Sequence, residues 1–227
     1  MKKYYFLFIL FSCSRLGYPQ NFSFKPAVGI NACVQNITHG ENQKLNEKKV
    51  HPGFDIGLNL EMELKSNTSI EIGWFYSMNR ASMDRLFYTL VAGSADFPYT
   101  REDYTLNFLK VPVNVLFKQK KADPLFFGAG PVIKFSISSH RDGKILERDE
   151  TYSTKFKMDT KNGKKTGVGL LLSTGKEFGI NKRKASVRLN YDIDLTKWRY
   201  PTNFEYEEVR YFSFRNHNFS LLFSLIL

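Results

Sequence analysis

The sequence predicts an all-β fold: an eight-stranded antiparallel up-and-down transmembrane β-barrel with short periplasmic turns and long extracellular loops. Eight segments alternate apolar and polar residues with a period of two, which gives a strand one apolar face. The connections between them are alternately long and short, as in outer-membrane barrels. Aromatic residues form 15% of the chain, and several lie at strand ends, where interfacial girdles form.

The second segment, Phe54–Leu64, shows the alternation most clearly and is long enough for a tilted strand to cross a bilayer. A β-sandwich would bury its apolar face, whereas a barrel exposes that face to lipid. The alternating loop lengths favour the barrel, because a sandwich gives no reason for them. The residues predicted to face lipid are Phe54, Ile56, Leu58, Leu60, Met62 and Leu64.

The other segments follow the same pattern with varying clarity, and the fourth changes phase, which predicts a β-bulge near Phe108. In chain order the eight segments are about Phe24–Ile37, Phe54–Leu64, Ser69–Ser82, Tyr104–Lys118, Leu125–His140, Thr166–Ile180, Ser186–Leu195 and Asn216–Leu227. The long connections are Thr38–Pro52, Met83–Asp103, Arg141–Lys165 and Arg199–Arg215. The short ones are Lys65–Thr68, Gln119–Pro124 and Asn181–Lys184. The strand-end aromatics are Phe22, Phe24, Trp74, Tyr76, Tyr104, Phe117, Phe126, Phe178, Trp198 and Tyr200.

The N-terminus predicts a signal peptide, residues 1–20, followed by a single barrel domain, residues 21–227. Two lysines precede the apolar run Tyr4–Phe11, which is too short to span a bilayer. A buried first strand is the alternative, and a faint lipobox ending at Cys13 leaves lipidation open. With the signal removed, Cys33 is the single cysteine, so no intramolecular disulfide is expected.

The net charge of +11 indicates an anionic partner. The basic residues cluster in turns and loops and not on a helix that would read a groove, so we expect no nucleic acid. The predicted partners are outer-membrane lipids and lipopolysaccharide, the barrel-insertion machinery, and secretion-system proteins as a further alternative.

Several motifs resemble those of the Bacteroidota-type outer-membrane β-barrel family, often called PorT-like. Leu109–Val115 resembles the L-x-(I/V)-P-x-x-(L/V) fourth strand, and Phe127–Pro131 resembles the G-x-G-P fifth strand. Gly167–Leu170 resembles the glycine-rich sixth strand and Val187–Tyr191 the seventh. The resemblance implies an eight-stranded barrel, and one branch of that family implies an accessory role in type IX secretion.

The polar face of the strands predicts a charged lumen. Both signs of charge occur, so a structural network of paired ions is expected, because unpaired charge in a narrow lumen is costly. Arg188 or Lys110 is expected to bridge Glu61 or Glu71, and an ion or proton path is the alternative. The inward set is Asp55, Glu61, Glu63, Glu71, Lys110, Lys134, Glu177, Arg188, Asp192 and Asp194.

The predicted function is a non-enzymatic small barrel with a structural or surface-binding role and no open pore. Cofactors and metals are not expected, because no ligand spacing occurs. The third alternative, after the secretion accessory, is a lipid-modifying hydrolase or acyltransferase. Its candidate residues are Ser138 and His140, which share one strand face, although a nucleophile also needs its base within hydrogen-bond reach. Specific recognition of ligand, phage or host by the long loops also stays open.

Overall fold

The computed structural model describes residues 22–38, 47–65, 67–86, 99–119, 124–146, 151–156, 165–180, 183–202 and 210–227. The predicted signal peptide and the lipidation alternative at Cys13 lie outside these residues. Within the described part of the chain, no helix is long and apolar enough to cross a membrane.

The described chain is built of antiparallel strands, and eight of them close into a barrel. The strands are β1 (Phe22–Thr38), β2 (Glu47–Lys65), β3 (Thr68–Leu86), β4 (Tyr99–Lys118), β5 (Leu125–Leu146), β6 (Thr151–Phe156), β7 (Thr166–Ile180), β8 (Arg183–Asp194), β9 (Trp198–Thr202) and β10 (Arg210–Ile226). The order around the barrel is β1-β2-β3-β4-β5-β7-β8-β10, and pairing of β1 with β10 closes it. The predicted eight-stranded barrel is therefore confirmed.

Most strands are longer than the alternation predicted. The strand β5 continues beyond His140 to Leu146, and β6 pairs with this extension. The strand β10 begins at Arg210, and β9 pairs with its first residues. The predicted loop bounds were therefore wrong in part. Hydrogen bonding between neighbouring strands extends the wall at the long-loop end through polar sequence that carries no apolar alternation.

The predicted bulge near Phe108 exists, but it belongs to the neighbouring strand. Asn107 pairs with Ser138 and Phe108 pairs with Ser136, so β5 holds the extra residue, Ile137. In β4 the buried positions keep one phase from Tyr104 through Leu116. Along β4 the inward residues change from apolar, through Phe108, to partly polar, from Lys110 onward. This change in the residues that fill the lumen looks in the sequence like a change of strand face.

The barrel wall is apolar outside and polar inside, as the second segment predicts. Phe54, Ile56 and Leu58 are exposed on the outer wall, whereas Asp55 and Asn59 between them are buried. Outward apolar side chains of this kind occur along all eight barrel strands, which is the pattern of a wall that faces acyl chains. The interior of this protein is therefore a lumen rich in polar and charged side chains, with apolar side chains among them.

Candidate functional site: the charged lumen and the outer wall

The strands direct nine of the ten predicted lumen residues into the interior. Their side chains lie on the inward phase of their strands and are buried. Glu63 is the exception, because it lies near the end of β2, where the wall ends and leaves its side chain exposed. The prediction that Glu63 belongs to the interior network was wrong for this reason. The nine buried residues are Asp55, Glu61, Glu71, Lys110, Lys134, Glu177, Arg188, Asp192 and Asp194.

A quartet of two lysines and two glutamates lies toward the short-turn end of the lumen. Lys25 contacts Glu61, and its Nζ lies 2.9 Å from Glu177 Oε1. Lys118 Nζ lies 2.5 Å from Glu61 Oε1 and 2.8 Å from Glu177 Oε1. Each cation thus bridges both anions, so the quartet is electrically neutral and joins strands β1, β2, β4 and β7.

The pair formed by Arg188 and Glu71 crosses the lumen between β8 and β3. The guanidinium binds the carboxylate through both of its terminal nitrogens, with Nη2 at 2.7 Å from Oε2. Two parallel bonds fix both side chains more firmly than a single contact would. The guanidinium carbon also lies 5.0 Å from the centre of the Phe126 ring, a cation–π geometry. Arg188, on β8, therefore has partners on two other strands, β3 and β5.

A third group of ions lies toward the long-loop end. Lys110 Nζ is 3.6 Å from Asp55 Oδ1 and 3.5 Å from Asp192 Oδ2. Lys134 Nζ is 2.7 Å from Asp192 Oδ2 and 2.5 Å from Asp194 Oδ1. Two lysines thus serve three aspartates, and backbone and side-chain donors supply the remaining bonds to Asp194, as described next.

Aromatic and apolar side chains fill the lumen between this group and the long-loop end. Trp198 is fully buried, donates from Nε1 to Asp194 at 2.7 Å, and lies with its ring centre 4.9 Å from that of Phe108. Asp194 also accepts a bond from the backbone N–H of Asn216 at 2.9 Å. Leu106 and Tyr104 are buried in the same part of β4. We call Trp198, Phe108, Leu106 and Tyr104 the apolar plug.

The plug corrects part of the predicted aromatic girdle. Tyr104, Phe126 and Trp198 lie inside the lumen, because each falls on the inward phase of its strand. Trp74 and Phe117 are exposed on the outer wall, where a girdle residue belongs. Phe22, Phe24 and Tyr76 also lie outward, whereas nothing is described of the Tyr200 side chain.

A small cavity lies at mid-lumen, between the Arg188 pair and the third ion group. Its volume is about 30 Å³, which suits about two water molecules and not a solute pathway. Its lining is mixed: Asp55, Asn59, Lys110, Asn114, Arg188, Asn190, Asp192 and Ser220 are polar, and Phe75, Pro112, Val132, Leu171 and Leu222 are apolar.

The predicted lumen set omitted Lys25 and Lys118, which belong to the network. Both lie on the inward phase, Lys25 four residues before Gly29 and Lys118 four after Asn114. The missing signal was therefore available from strand phase alone. Asn31 lies on the same phase, two residues after Gly29, and its amide donates to Asp55 Oδ1 at 3.0 Å. Phase places these side chains inside, but their partners depend on the register between strands.

On the outer wall, a serine other than the predicted Ser138 contacts a histidine. Both predicted residues are exposed on β5, and the Ser138 hydroxyl accepts a bond from Asn107 Nδ2 at 2.8 Å. Three other strands bring together a serine, a histidine and an aspartate. Ser82 Oγ contacts His51 Nε2 and donates to Asp103 Oδ1.

Basic residues surround the long-loop end of the outer wall. Lys165, Lys197 and Arg215 are exposed where β7, β8 and β10 reach that end, and Arg80 is exposed on β3. The acidic residue among the outward side chains described at this level is Asp103, which is half-buried. This external margin, as we call the zone, therefore carries net positive charge in the described residues.

Comparison with known proteins places these features in a family. The family model described as outer membrane protein beta-barrel domain matches residues 15–197. No curated protein matches the chain in sequence. OprG from Pseudomonas aeruginosa has a similar structure, with 10% identity and a TM-score of 0.51 over 92% of this chain and 97% of that chain.

Two further solved structures have lower TM-scores. AlkL in lipid bilayers is 12% identical, with a TM-score of 0.48 over 93% of this chain and 92% of that chain. Ail, the attachment invasion locus protein of Yersinia pestis, is 12% identical in its complex with a heparin analogue, with a TM-score of 0.37 over 91% of this chain and 99% of that chain. At these identities the similarity concerns the fold and not the function.

Proposed function

We propose, since the chain belongs to the outer membrane protein beta-barrel domain family, that it is a structural, surface-binding barrel whose external margin binds lipopolysaccharide phosphates. The observation that carries this proposal is the exposed basic set on adjacent strands, Lys165, Lys197 and Arg215. These side chains lie just beyond outward apolar residues such as Leu195 and Phe219, at the level where head groups meet acyl chains.

The lumen supports a structural role more than transport. Its described charges are held in pairs and groups by the quartet, by Arg188 with Glu71, and by the third ion group. The apolar plug lies above them. An eight-stranded barrel is filled by its own side chains, and a pathway for solutes would have to displace these contacts.

Lipid retention tests the binding half of this proposal. The variant Lys165→Gln/Lys197→Gln/Arg215→Gln removes three charges from the external margin. A basic residue near an anionic surface contributes about 1 kcal/mol, so three should weaken lipopolysaccharide binding by about a hundredfold. Native mass spectrometry of the barrel extracted in mild detergent measures the fraction that retains lipopolysaccharide.

The matched control carries the same loss of charge at the other end. Lys176, Arg183 and Lys184 are exposed toward the short turns, and their glutamine variants should retain lipopolysaccharide as the parent protein does. Equal retention in both triple variants, or equal loss, would contradict a specific role of the external margin.

We also propose that the chain is of the Bacteroidota, PorT-like type. The resemblance of Leu109–Val115 and Phe127–Pro131 to the strand motifs of that family supports the proposal. In the structure these segments lie on neighbouring strands, where a Cβ on Gly130 would lie 1.9 Å from the Val113 carbonyl oxygen. Replacing the segment Leu109–Val115 or Phe127–Pro131 by that of an authentic PorT-like barrel should preserve heat-modifiable gel migration. Loss of the folded form in both exchanges would contradict the proposal.

A further inference from the structure

The cluster of Ser82, His51 and Asp103 joins three neighbouring strands. Asp103 of β4 is the direct cross-strand partner of Ser82 on β3. His51 of β2 pairs with Arg80, two residues before Ser82 on the same strand, so its ring reaches Ser82 diagonally. The two contacts leave only 4% of Ser82 exposed, whereas His51 and Asp103 are half-buried. No local sequence motif brings these residues together.

The cluster lies on the lipid-facing side of the wall and not in the lumen. On β3 the outward residues run through Tyr76 and Met78 to Arg80 and Ser82. At about 3.3 Å per residue, Ser82 is about 13 Å along the strand from Met78. The site therefore lies at the level of the head groups, just beyond the apolar surface that contacts acyl chains.

We propose that Ser82, His51 and Asp103, the Ser82 site, hydrolyse acyl esters of lipids in the external leaflet. A hydroxyl in contact with an imidazole nitrogen is the arrangement that a serine nucleophile requires. The location selects the substrate class, because the ester carbonyls of a lipid lie where its acyl chains join the head group. Arg80, exposed next to His51, offers a cation to the anionic head group.

The reaction uses water as its only co-reactant. The Ser82 hydroxyl rotates from Asp103 toward His51, and its proton passes to Nε2 as Oγ bonds to the ester carbonyl carbon. The carbon–oxygen bond to the alcohol breaks, and the alcohol leaves with the proton from Nε2. Water then attacks the acyl-serine, gives a proton to Nε2, and releases the fatty acid as Ser82 recovers its proton.

Asp103 acts as a positioning residue in this scheme. It contacts Ser82, which differs from a catalytic triad, where the carboxylate contacts the imidazole. It holds the serine side chain between strands, and its negative charge stabilises the nearby imidazolium that forms when Nε2 takes the proton. Asp103→Asn should therefore slow hydrolysis and change its pH profile, which the loss of a purely structural contact would not do.

A fluorophosphonate probe tests the site, because it labels serines that an adjacent base activates. The full-length barrel in mild detergent should be labelled. Ser82→Ala should abolish labelling, and His51→Gln should slow it by about a hundredfold, the contribution of a general base. Ser138→Ala is the matched control on the same outer wall and should label like the parent protein. Release of fatty acid from mixed lipid micelles should follow the same order.

Heat-modifiable migration of every variant shows that the barrel still folds. Absence of labelling in the folded parent protein, or equal labelling in folded Ser82→Ala, would overturn the proposal. The labelling experiment is independent of lipopolysaccharide retention. A negative result at the Ser82 site would therefore not contradict the proposal that the external margin binds lipopolysaccharide.

Discussion

Breaking the pair of Arg188 and Glu71 on one side should destabilise the barrel more than removing the pair. Both side chains are almost completely buried, at 3% exposed for Arg188 and 1% for Glu71. Arg188→Met leaves the Glu71 carboxylate without its two guanidinium bonds, at a cost of about 3–5 kcal/mol for an uncompensated buried charge. The lost contact with Phe126 adds about 0.5–2 kcal/mol. Together these lower the folded-to-unfolded ratio by at least about a hundredfold.

The double variant Arg188→Met/Glu71→Leu should recover most of this loss. It leaves no buried charge, and replacing a buried pair by apolar residues of similar volume is often neutral or stabilising. Guanidinium unfolding in lipid, followed by tryptophan fluorescence and by gel migration, measures the free energies. Arg183→Met is the control, since Arg183 is exposed and its loss should change stability by no more than about 0.5 kcal/mol.

The double-mutant cycle has a clear contradictory result. If Arg188→Met costs less than about 1 kcal/mol, or if the double variant is the least stable of the set, then Glu71 does not depend on Arg188 as a buried anion must.

Other variants test packing and the lipid-facing wall. Gly130→Val should destabilise the barrel by about 1–3 kcal/mol through overpacking, because its Cβ would meet the Val113 carbonyl oxygen. Gly179→Val should be tolerated, because nothing lies within 4 Å of a Cβ there. Comparable unfolding midpoints for the two variants would contradict this reasoning. Trp198→Ala should cost about 3–5 kcal/mol. Trp198→Phe should cost less, because an aromatic ring remains in contact with Phe108, and thermal unfolding can compare the two variants. Leu221→Arg, at the middle of the wall, should lower the free energy of unfolding by about 2–4 kcal/mol, and Leu195→Arg, at the external margin, by about 0–1 kcal/mol. A reversed order in guanidinium unfolding would contradict the assigned positions in the membrane.

The sequence predicts the wall of the barrel far better than its contents. Alternation along Phe54–Leu64 identifies the faces, because a strand of fixed phase cannot present its apolar residues to both sides. The same rule places Glu61 and Glu71 inside. It leaves open which cation each one binds: Arg188 with Glu71 is one of four expected pairings, whereas Lys25 with Glu61 is not among them. Register around a closed barrel sets these partners, and no single strand encodes it.

Two kinds of residue escaped the pattern for physical reasons. Tyr104 and Phe108 are apolar yet face inward, so polarity alone assigned them to the wrong side and placed the bulge in β4 instead of β5. His51, Ser82 and Asp103 are far apart in the chain and meet through the pairings of β2, β3 and β4. Ser138 and His140 are the candidates that the sequence predicts because they are close in the chain, and closeness in the chain is a poor guide to contact across a sheet.

Ion conductance of the purified barrel in planar lipid bilayers tests the central claim most directly. A lumen filled by paired charges and closed by the apolar plug predicts no stable conductance step from the wild-type protein, although heat-modifiable gel migration shows that it is folded. Reproducible, discrete conductance steps from the wild-type barrel would show an open pathway and would contradict this account of its interior.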